Sequence, residues 1–287
     1  IYTIGIDGGE VQRLTPADET TNSTPRWSPD GSRLAFLSDR SGFVHVWITD
    51  ANGTRVTEID TGPHDSTSPH FEVEPVWSPD GSRILVSVNY GGSFDLVAVD
   101  AAGRDFEMIR SGRGRYHAVG WNRDEEPVFT YEAPWAPPDL YFVDAADGDA
   151  DRRLTFSSHV AFRRSHFPRM ERVSFRAADG LPLEGFLLEP SRLQDGERRP
   201  AIINLHTNIY GQFYDGWHPF FHYLVESGYV MLMADQRGSA GYGRAFRDAE
   251  VGDYEQGILL DIEAMADFLK SQPSVDPDRV AVMGLSH

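Results

Sequence analysis

Short apolar runs separated by turn-forming residues fill residues 1–157. The segment 24–36 contains Pro-x-Trp-Ser-Pro-Asp-Gly-Ser-Arg followed by apolar residues, and the same pattern returns over residues 74–86. A weaker copy is centred on Trp121, so the tryptophans of successive copies are 50 and 44 positions apart. A period near this length, with several short strands in each copy, is typical of β-propeller blades.

The turns within each copy fit a blade. Pro sets one backbone angle of the Ser-Pro-Asp-Gly turn, Asp bonds to its own backbone, and Gly accepts a positive φ. We expect Trp27 and Trp77 to lie in blade cores rather than to bind a ligand. Residues 1–9 match the third strand of a blade and the turn after it. The chain is therefore expected to begin inside a blade, and its three and a part blades would leave the ring open.

The hydrophobic pattern changes after residue 168. Two apolar segments bracket an Asp-Gly turn and predict a hairpin, and buried strands then alternate with amphipathic helices. Such alternation predicts a parallel sheet covered on both faces. We expect one domain over residues 1–168 and a second over 169–287. The predicted elements are the hairpin over 171–189, strands over 201–205, 229–234 and 279–283, and helices over 219–228 and 254–271.

The last predicted strand leads into Gly284-Leu285-Ser286-His287. A strand that delivers a serine into a sharp Gly-x-Ser-x-Gly turn is how an α/β-hydrolase presents its nucleophile. The closing glycine of that pattern would be the next residue. In the alternative interpretation, Ser286 only caps a helix after a parallel strand.

The acidic composition narrows the classes of partner. The formal net charge is −18 and Lys270 is the only lysine, which argues against nucleic acid and anionic membranes as partners. No apolar run reaches the roughly 18 residues of a membrane span. The absence of Cys excludes disulfides and thiolate metal sites. His218 and His222 have the i, i+4 spacing of a metal pair, but no acidic third ligand stands out, so we expect a surface helix face there.

Two stretches resemble the prolyl oligopeptidase family of serine peptidases, including its acylaminoacyl-peptidase and dipeptidyl-peptidase branches. Residues 235–246 read Asp-Gln-Arg-Gly-Ser-Ala-Gly-Tyr-Gly-Arg-Ala-Phe, and residues 275–286 look like the family's approach to its nucleophile. The Trp-Ser-Pro-Asp-Gly repeats are similar to TolB-like and prolyl oligopeptidase-type blades. The resemblance covers essentially the whole chain. It implies the last blades of an all-β propeller, followed by the N-terminal half of an α/β-hydrolase fold, truncated at both ends.

The resemblance also implies the chemistry. Ser286 would form an acyl-enzyme with a peptide substrate, without a metal or organic cofactor. The backbone N–H of His287 would supply one oxyanion donor. In relatives the loop after the 201–205 strand often reads His-Gly-Gly-Pro-x-Gly-Gln, and here Asn208 and Tyr210 are the candidate donors. Asp235 and Arg237 are expected to be structural.

In this fold the acid and the base of the triad follow the serine in chain order. They are therefore expected beyond residue 287, and His287 itself is too close to Ser286 to act as its base. We accordingly expect residues 1–287 alone to be inactive and prone to aggregate. Two rival functions stay open: an ester hydrolase on the same scaffold, and a non-catalytic propeller that binds a ligand. A homo-oligomer also stays open.

Overall fold

The computed structural model describes residues 1–66, 74–103, 105–158, 167–206, 211–253 and 256–284. These residues form four β-sheets and three α-helices. Three sheets precede residue 167, and a five-stranded sheet with helices follows it. Within these ranges, no helix combines the length and the apolar character needed to cross a membrane.

The repeated pattern forms four-stranded antiparallel units, as predicted. The first unit is a separate sheet in the order β3-β4-β5-β6, and the second and third units are β7–β10 and β11–β14. A short parallel pairing of Arg115 with Phe94 joins the last two units into one sheet. The strands are β1 (Tyr2–Thr3), β2 (Gln12–Arg13), β3 (Asn22–Trp27), β4 (Arg33–Ser38), β5 (His45–Asp50), β6 (Val56–Ile59), β7 (Val76–Trp77), β8 (Arg83–Tyr90), β9 (Ser93–Asp100), β10 (Phe106–Arg110), β11 (Arg115–Trp121), β12 (Pro127–Ala133), β13 (Ala136–Asp144) and β14 (Ala150–Arg153).

Each Ser-Pro-Asp-Gly turn is held by its aspartate. The Asp30 carboxylate accepts a hydrogen bond from the Ser28 hydroxyl at 2.6 Å and from the Ser32 backbone N–H at 3.0 Å. Asp80 makes the equivalent bonds in the second unit at 2.6 and 2.9 Å. Because these bonds favour the ionised form, they lower the pKa of both carboxyls to about 2. The turn therefore keeps its geometry across the neutral and mildly acidic range.

The tryptophan of each unit contacts the unit before it. The indole N–H of Trp77 donates to the carbonyl of Arg26 at 3.0 Å, and the Arg33 guanidinium lies 5.0 Å from the centre of the Trp77 ring. The third unit repeats this arrangement: the Trp121 N–H donates to the carbonyl of the residue before Trp77, at 3.2 Å, and Arg83 lies 4.7 Å from the Trp121 ring. The motif of the second unit thus takes part in two junctions: its arginine contacts the next unit and its tryptophan contacts the previous one.

The prediction that Trp27 lies in a blade core is wrong. Trp77 is 9% exposed, as predicted, whereas Trp27 is 46% exposed. The physical reason is that the tryptophan of a motif is buried by contacts with the preceding unit, as Trp77 is by Arg26 and Arg33. The β1–β2 pair before Trp27 includes neither the carbonyl nor the arginine of a preceding motif.

We expect Trp77→Phe to lower the free energy of unfolding by about 1–2 kcal/mol, because it removes a hydrogen bond to a backbone carbonyl and weakens the contact with Arg33. Trp27→Phe is the matched control and should change stability by less than about 0.5 kcal/mol, as exposed substitutions do. Urea unfolding followed by circular dichroism measures both. Equal losses in the two variants would contradict the junction described above.

The second half of the chain forms a mixed five-stranded sheet in the order β15-β16-β18-β17-β19. Strands β18, β17 and β19 are parallel, as predicted, but the β15–β16 hairpin joins β18 in the antiparallel sense. The expectation of a parallel sheet therefore holds for three of the five strands. The elements are β15 (Arg169–Arg176), β16 (Pro182–Glu189), β17 (Arg199–Asn204), α1 (Pro219–Glu226), β18 (Val230–Ala234), α2 (Gly243–Arg247), α3 (Gln256–Ser271) and β19 (Val275–Met283).

Helices cover both faces of this sheet. On one face Leu232 packs with Met265 and Leu269 of α3. On the other, Met231 and Met233 pack with Val225 of α1. The alternation along β18 follows from the two-residue period of a strand, and a strand buried on both faces reads as a continuous apolar run. In the described part of the chain β19 is an edge strand, and its Val282 is 56% exposed.

Candidate active site

Strands β17 and β19 end side by side. Asn204 pairs with Met283 in parallel register, and the backbone N–H of Leu205 donates to the Met283 carbonyl at 2.9 Å. Because the two strands run in the same direction, the segments that follow them leave from one edge of the sheet. Gly284, the first residue of the Gly-x-Ser motif, therefore lies beside the start of the loop that follows β17.

The predicted reactive groups themselves lie outside the described residues. This applies to Ser286 and His287 of the motif and to Asn208 and Tyr210 of the loop. Their roles stay predictions. The described residues around them, on both flanks of the loop and in the loop after β18, show what holds this edge of the sheet together.

His206 attaches the start of the β17 loop to the loop after β18. Its Nε2 lies 2.7 Å from the hydroxyl oxygen of Ser239, which is fully buried. That hydroxyl donates its own proton to the Gln236 carbonyl at 2.6 Å. His206 must therefore donate from Nε2, which assigns the tautomer of the ring. The two residues are 33 positions apart, so no local pattern in the sequence indicates this contact.

Asp235 joins three segments through one buried carboxyl group. It accepts a hydrogen bond from the Phe213 backbone N–H at 2.8 Å and another from the Tyr242 hydroxyl at 2.8 Å. Burial raises its pKa to about 8, since removal from water disfavours the charged form more than the two hydrogen bonds favour it. These contacts fit the structural role expected for Asp235.

Arg237 connects the same loop to α3. Its guanidinium contacts both carboxylate oxygens of Asp261, at 3.0 and 2.8 Å, and its backbone N–H donates to one of them at 2.8 Å. Asp261 is fully buried, and a further ion pair with Asp179 at 2.9 Å reaches the turn of the β15–β16 hairpin. A buried carboxylate paired with a bidentate arginine tolerates the loss of neither partner. The structural role expected for Arg237 fits these contacts too.

Comparison with known proteins agrees with this architecture. Residues 218–287 match the model of the prolyl oligopeptidase family. Over this segment the chain is similar to the prolyl oligopeptidase family. The chain is also similar to an uncharacterised peptidase, YuxL, of Bacillus subtilis, 28% identical over 62% of this chain and 27% of its own length. Dipeptidyl-peptidase 5 of Porphyromonas gingivalis is 23% identical over 100% of this chain and 42% of its own length.

A solved puromycin hydrolase has the same fold. It superposes with a TM-score of 0.84 at 20% identity, over 98% of this chain and 43% of that protein. The solved neighbours are prolyl oligopeptidase-family enzymes with propeller and hydrolase domains, and the sheets described above correspond to that general arrangement. The chain spans 27% to 42% of the length of the two curated relatives named above.

The glycines of the family string 235–246 are required by close contacts. Gly241 has φ +88°, and a Cβ there would overlap the side-chain amides of Gln212 and Asn89. Gly243 has φ +79°, and a Cβ there would lie 2.8 Å from the ring of Phe43. Both positions thus combine a left-handed backbone with an approach that no side chain fits. Asn89 and Phe43 belong to the repeat units, so this part of the family string serves the contact between the two halves of the chain.

Charged and backbone hydrogen bonds complete that contact. Arg247 of α2 pairs with the buried Asp39 at 2.7 Å, and the Arg244 backbone N–H donates to the Gly42 carbonyl at 2.7 Å. Arg113 pairs with Asp215 at 2.8 Å. No pattern in the sequence pointed to Asp39 or Arg113, because contacts between residues more than 100 positions apart leave no local signature.

The expectation that His218 and His222 form a surface helix face is wrong for His222, which is only 6% exposed. It packs against Trp217, because the start of α1 turns this face toward the sheet rather than toward water. The His218 Nε2–H donates to the Tyr214 carbonyl at 2.8 Å. Burial lowers the pKa of both histidines to about 4. Within the described ranges, no group of three or more His, Asp or Glu side chains is placed to hold a metal ion.

We expect Asp235→Asn to remove a pH dependence of stability. The pKa is about 8 in the folded state and 3.8 unfolded, so the folded state retains a proton that the unfolded state releases. Between these values the carboxyl makes the protein less stable as pH rises, by about 2–4 kcal/mol from pH 5 to pH 8. The amide cannot ionise. Unfolding of the variant at pH 5 and pH 8 should differ by that much less than for the wild-type chain, and an unchanged difference would refute the assignment.

His222→Phe should remove a dependence of the opposite sign. The pKa of His222 is about 4 folded and 6.5 unfolded, so the unfolded state gains the proton first and stability falls as pH drops from 6.5 to 4. We compare the free energy of unfolding of the variant with that of the wild type at each pH. This difference should shift in favour of the variant by about 1–2 kcal/mol between pH 7.5 and pH 5. His64→Phe, at a partly buried site, is a useful comparison. A parallel pH profile for His222→Phe and the wild type would contradict the prediction.

Proposed function

We propose that this chain carries the nucleophile of a serine peptidase, Ser286, which attacks a peptide carbonyl and forms an acyl-enzyme. The observation that best supports this is the parallel register of β17 and β19. Asn204 pairs with Met283, so Gly284 and the loop that begins at His206 emerge at the same edge of the sheet. A nucleophile elbow and an oxyanion loop need this juxtaposition in the α/β-hydrolase arrangement.

In the proposed reaction the Ser286 Oγ bonds to the carbonyl carbon while a base removes the hydroxyl proton. The carbonyl oxygen becomes negatively charged, and preorganised donors stabilise that charge at the transition state. The backbone N–H of His287 and a group from Asn208 or Tyr210 are the proposed donors. The C–N bond then breaks, the amine leaves with the proton, and water releases the acid from the serine ester. We assign neither the triad acid nor its base within residues 1–287.

We further propose that residues 1–168 are blades of a propeller and residues 169–287 the first part of the hydrolase domain. The contacts of Arg247 with Asp39 and of Arg113 with Asp215 would hold the propeller against the carboxyl edge of the sheet. A cover in that position limits the size of the substrate. Short peptides are therefore the proposed substrates, in keeping with the relatives, a peptidase and a dipeptidyl-peptidase.

A fluorophosphonate probe tests the nucleophile in the protein that carries this sequence. We expect one covalent label, located on Ser286 by peptide mapping, and its loss in Ser286→Ala together with a loss of peptide hydrolysis of at least about 1,000-fold. Ser271→Ala, at the exposed end of α3, is the matched control and should keep both signals. A panel of aminoacyl and dipeptidyl anilides against simple esters then tests the substrate class. Labelling elsewhere would refute the nucleophile, and turnover of esters alone would refute the peptidase.

A further inference from the structure

The side chain of Asn89 lies at the end of β8 and is fully buried. Its Oδ1 accepts the Gly92 backbone N–H at 2.8 Å, and its Nδ2 donates to the Gln212 Oε1 at 2.7 Å. Because a backbone N–H only donates, the Asn89 oxygen must face Gly92 and its NH₂ must face Gln212. The orientation of both amides is therefore determined by a residue of the β8–β9 turn.

This turn packs directly on the residues that end the β17 loop. The Gly92 carbonyl accepts the Asp215 backbone N–H at 2.8 Å, and a Cβ on Gly92 would lie 2.8 Å from the Phe213 carbonyl. Gln212 is 6% exposed and lies against Gly241. The amide pair thus sits where the repeat units, the β17 loop and the loop after β18 meet.

The two ends of the β17 loop are held by different partners. His206 holds the start through Ser239, within the second half of the chain. At the other end, the Gly211 carbonyl accepts the Ala240 N–H at 3.0 Å, and the next residue, Gln212, bonds to Asn89 of the repeat units. The bond to Asn89 reaches the first half of the chain, as do the bonds of Asp215 to Gly92 and Arg113 further along the same loop.

We propose that Asn89 is a positioning residue that sets the end of the β17 loop through Gln212. This inference rests on the proposed function for its effect on catalysis. In that case a propeller side chain aligns the oxyanion donors without touching the substrate. Loss of the amide pair then weakens stabilisation of the transition state more than binding of the peptide, so that kcat falls while KM changes little.

Asn89→Leu has a similar volume and cannot form either hydrogen bond, and Gln212→Met removes the partner while filling the same space. We expect each variant to lower kcat for a dipeptidyl anilide by roughly 10- to 100-fold with KM within about 3-fold. The double variant should lose no more than the worse single variant, because the two residues act as one unit. If Asn89→Leu does not fold, Gln212→Met tests the same hydrogen bond from its other partner.

Arg247→Gln is the matched control, since it breaks the ion pair with Asp39 between the two halves of the chain and leaves the amide pair of Asn89 and Gln212 intact. Its kcat should stay within about 2-fold even if its melting temperature falls. A drop in kcat for Arg247→Gln as large as that for Asn89→Leu would overturn the proposal, because Asn89 would then act only by holding the halves together. A kcat within about 2-fold of wild type in both amide variants would overturn it as well.

A second readout does not depend on activity. Hydrogen exchange of the Phe213 and Ala240 amides reports the two hydrogen bonds that flank Gln212, and we expect it to accelerate at least about 10-fold in Asn89→Leu and to stay unchanged in Arg247→Gln. If the wild-type protein shows neither turnover nor labelling, the proposed function has failed. The exchange result then still decides whether Asn89 positions the loop: acceleration confined to the amide variants supports it, and unchanged exchange overturns it.

Discussion

The carboxyl group of Asp235 holds together the segments on which this edge of the sheet depends. It lies at the end of β18 and accepts hydrogen bonds from the end of the β17 loop and from Tyr242 in the family string. Because the group is buried, leaving either bond unmade would cost much more than it would at the surface. The loops therefore have one low-energy arrangement, and the neighbouring contacts of His206 and Arg237 are built around it.

The same loop after β18 has two further tasks. Its arginine fixes α3 to the sheet through Asp261, and its glycines allow the repeat units to approach closely enough for Asn89 to reach Gln212. A single string of residues thus organises the sheet, the loop and the contact between the halves. This explains physically why so many positions in the string are glycine or charged, although none of them is proposed to react with substrate.

Local patterns predicted much of this fold. The apolar run of β18, the proline at the start of α1 and the Ser-Pro-Asp-Gly turns each depend on neighbours in sequence, and each appears where the pattern indicated. The antiparallel placement of the β15–β16 hairpin beside β18 was missed, because strand order depends on packing between distant segments. Trp27 and His222 were misjudged for a similar reason. Exposure is decided by what covers a residue, and that cover lies elsewhere in the chain.

The junction between repeat units is directional: an arginine faces forward and a tryptophan faces back. In the second unit both the tryptophan and the arginine form such contacts, so the two ends of this unit are complementary to each other as well as to its neighbours. A tandem duplication of that whole unit would create a new junction already matched on both sides, without compensating substitutions. The motif therefore lets the number of repeat units change during evolution without new contacts having to be selected at each junction.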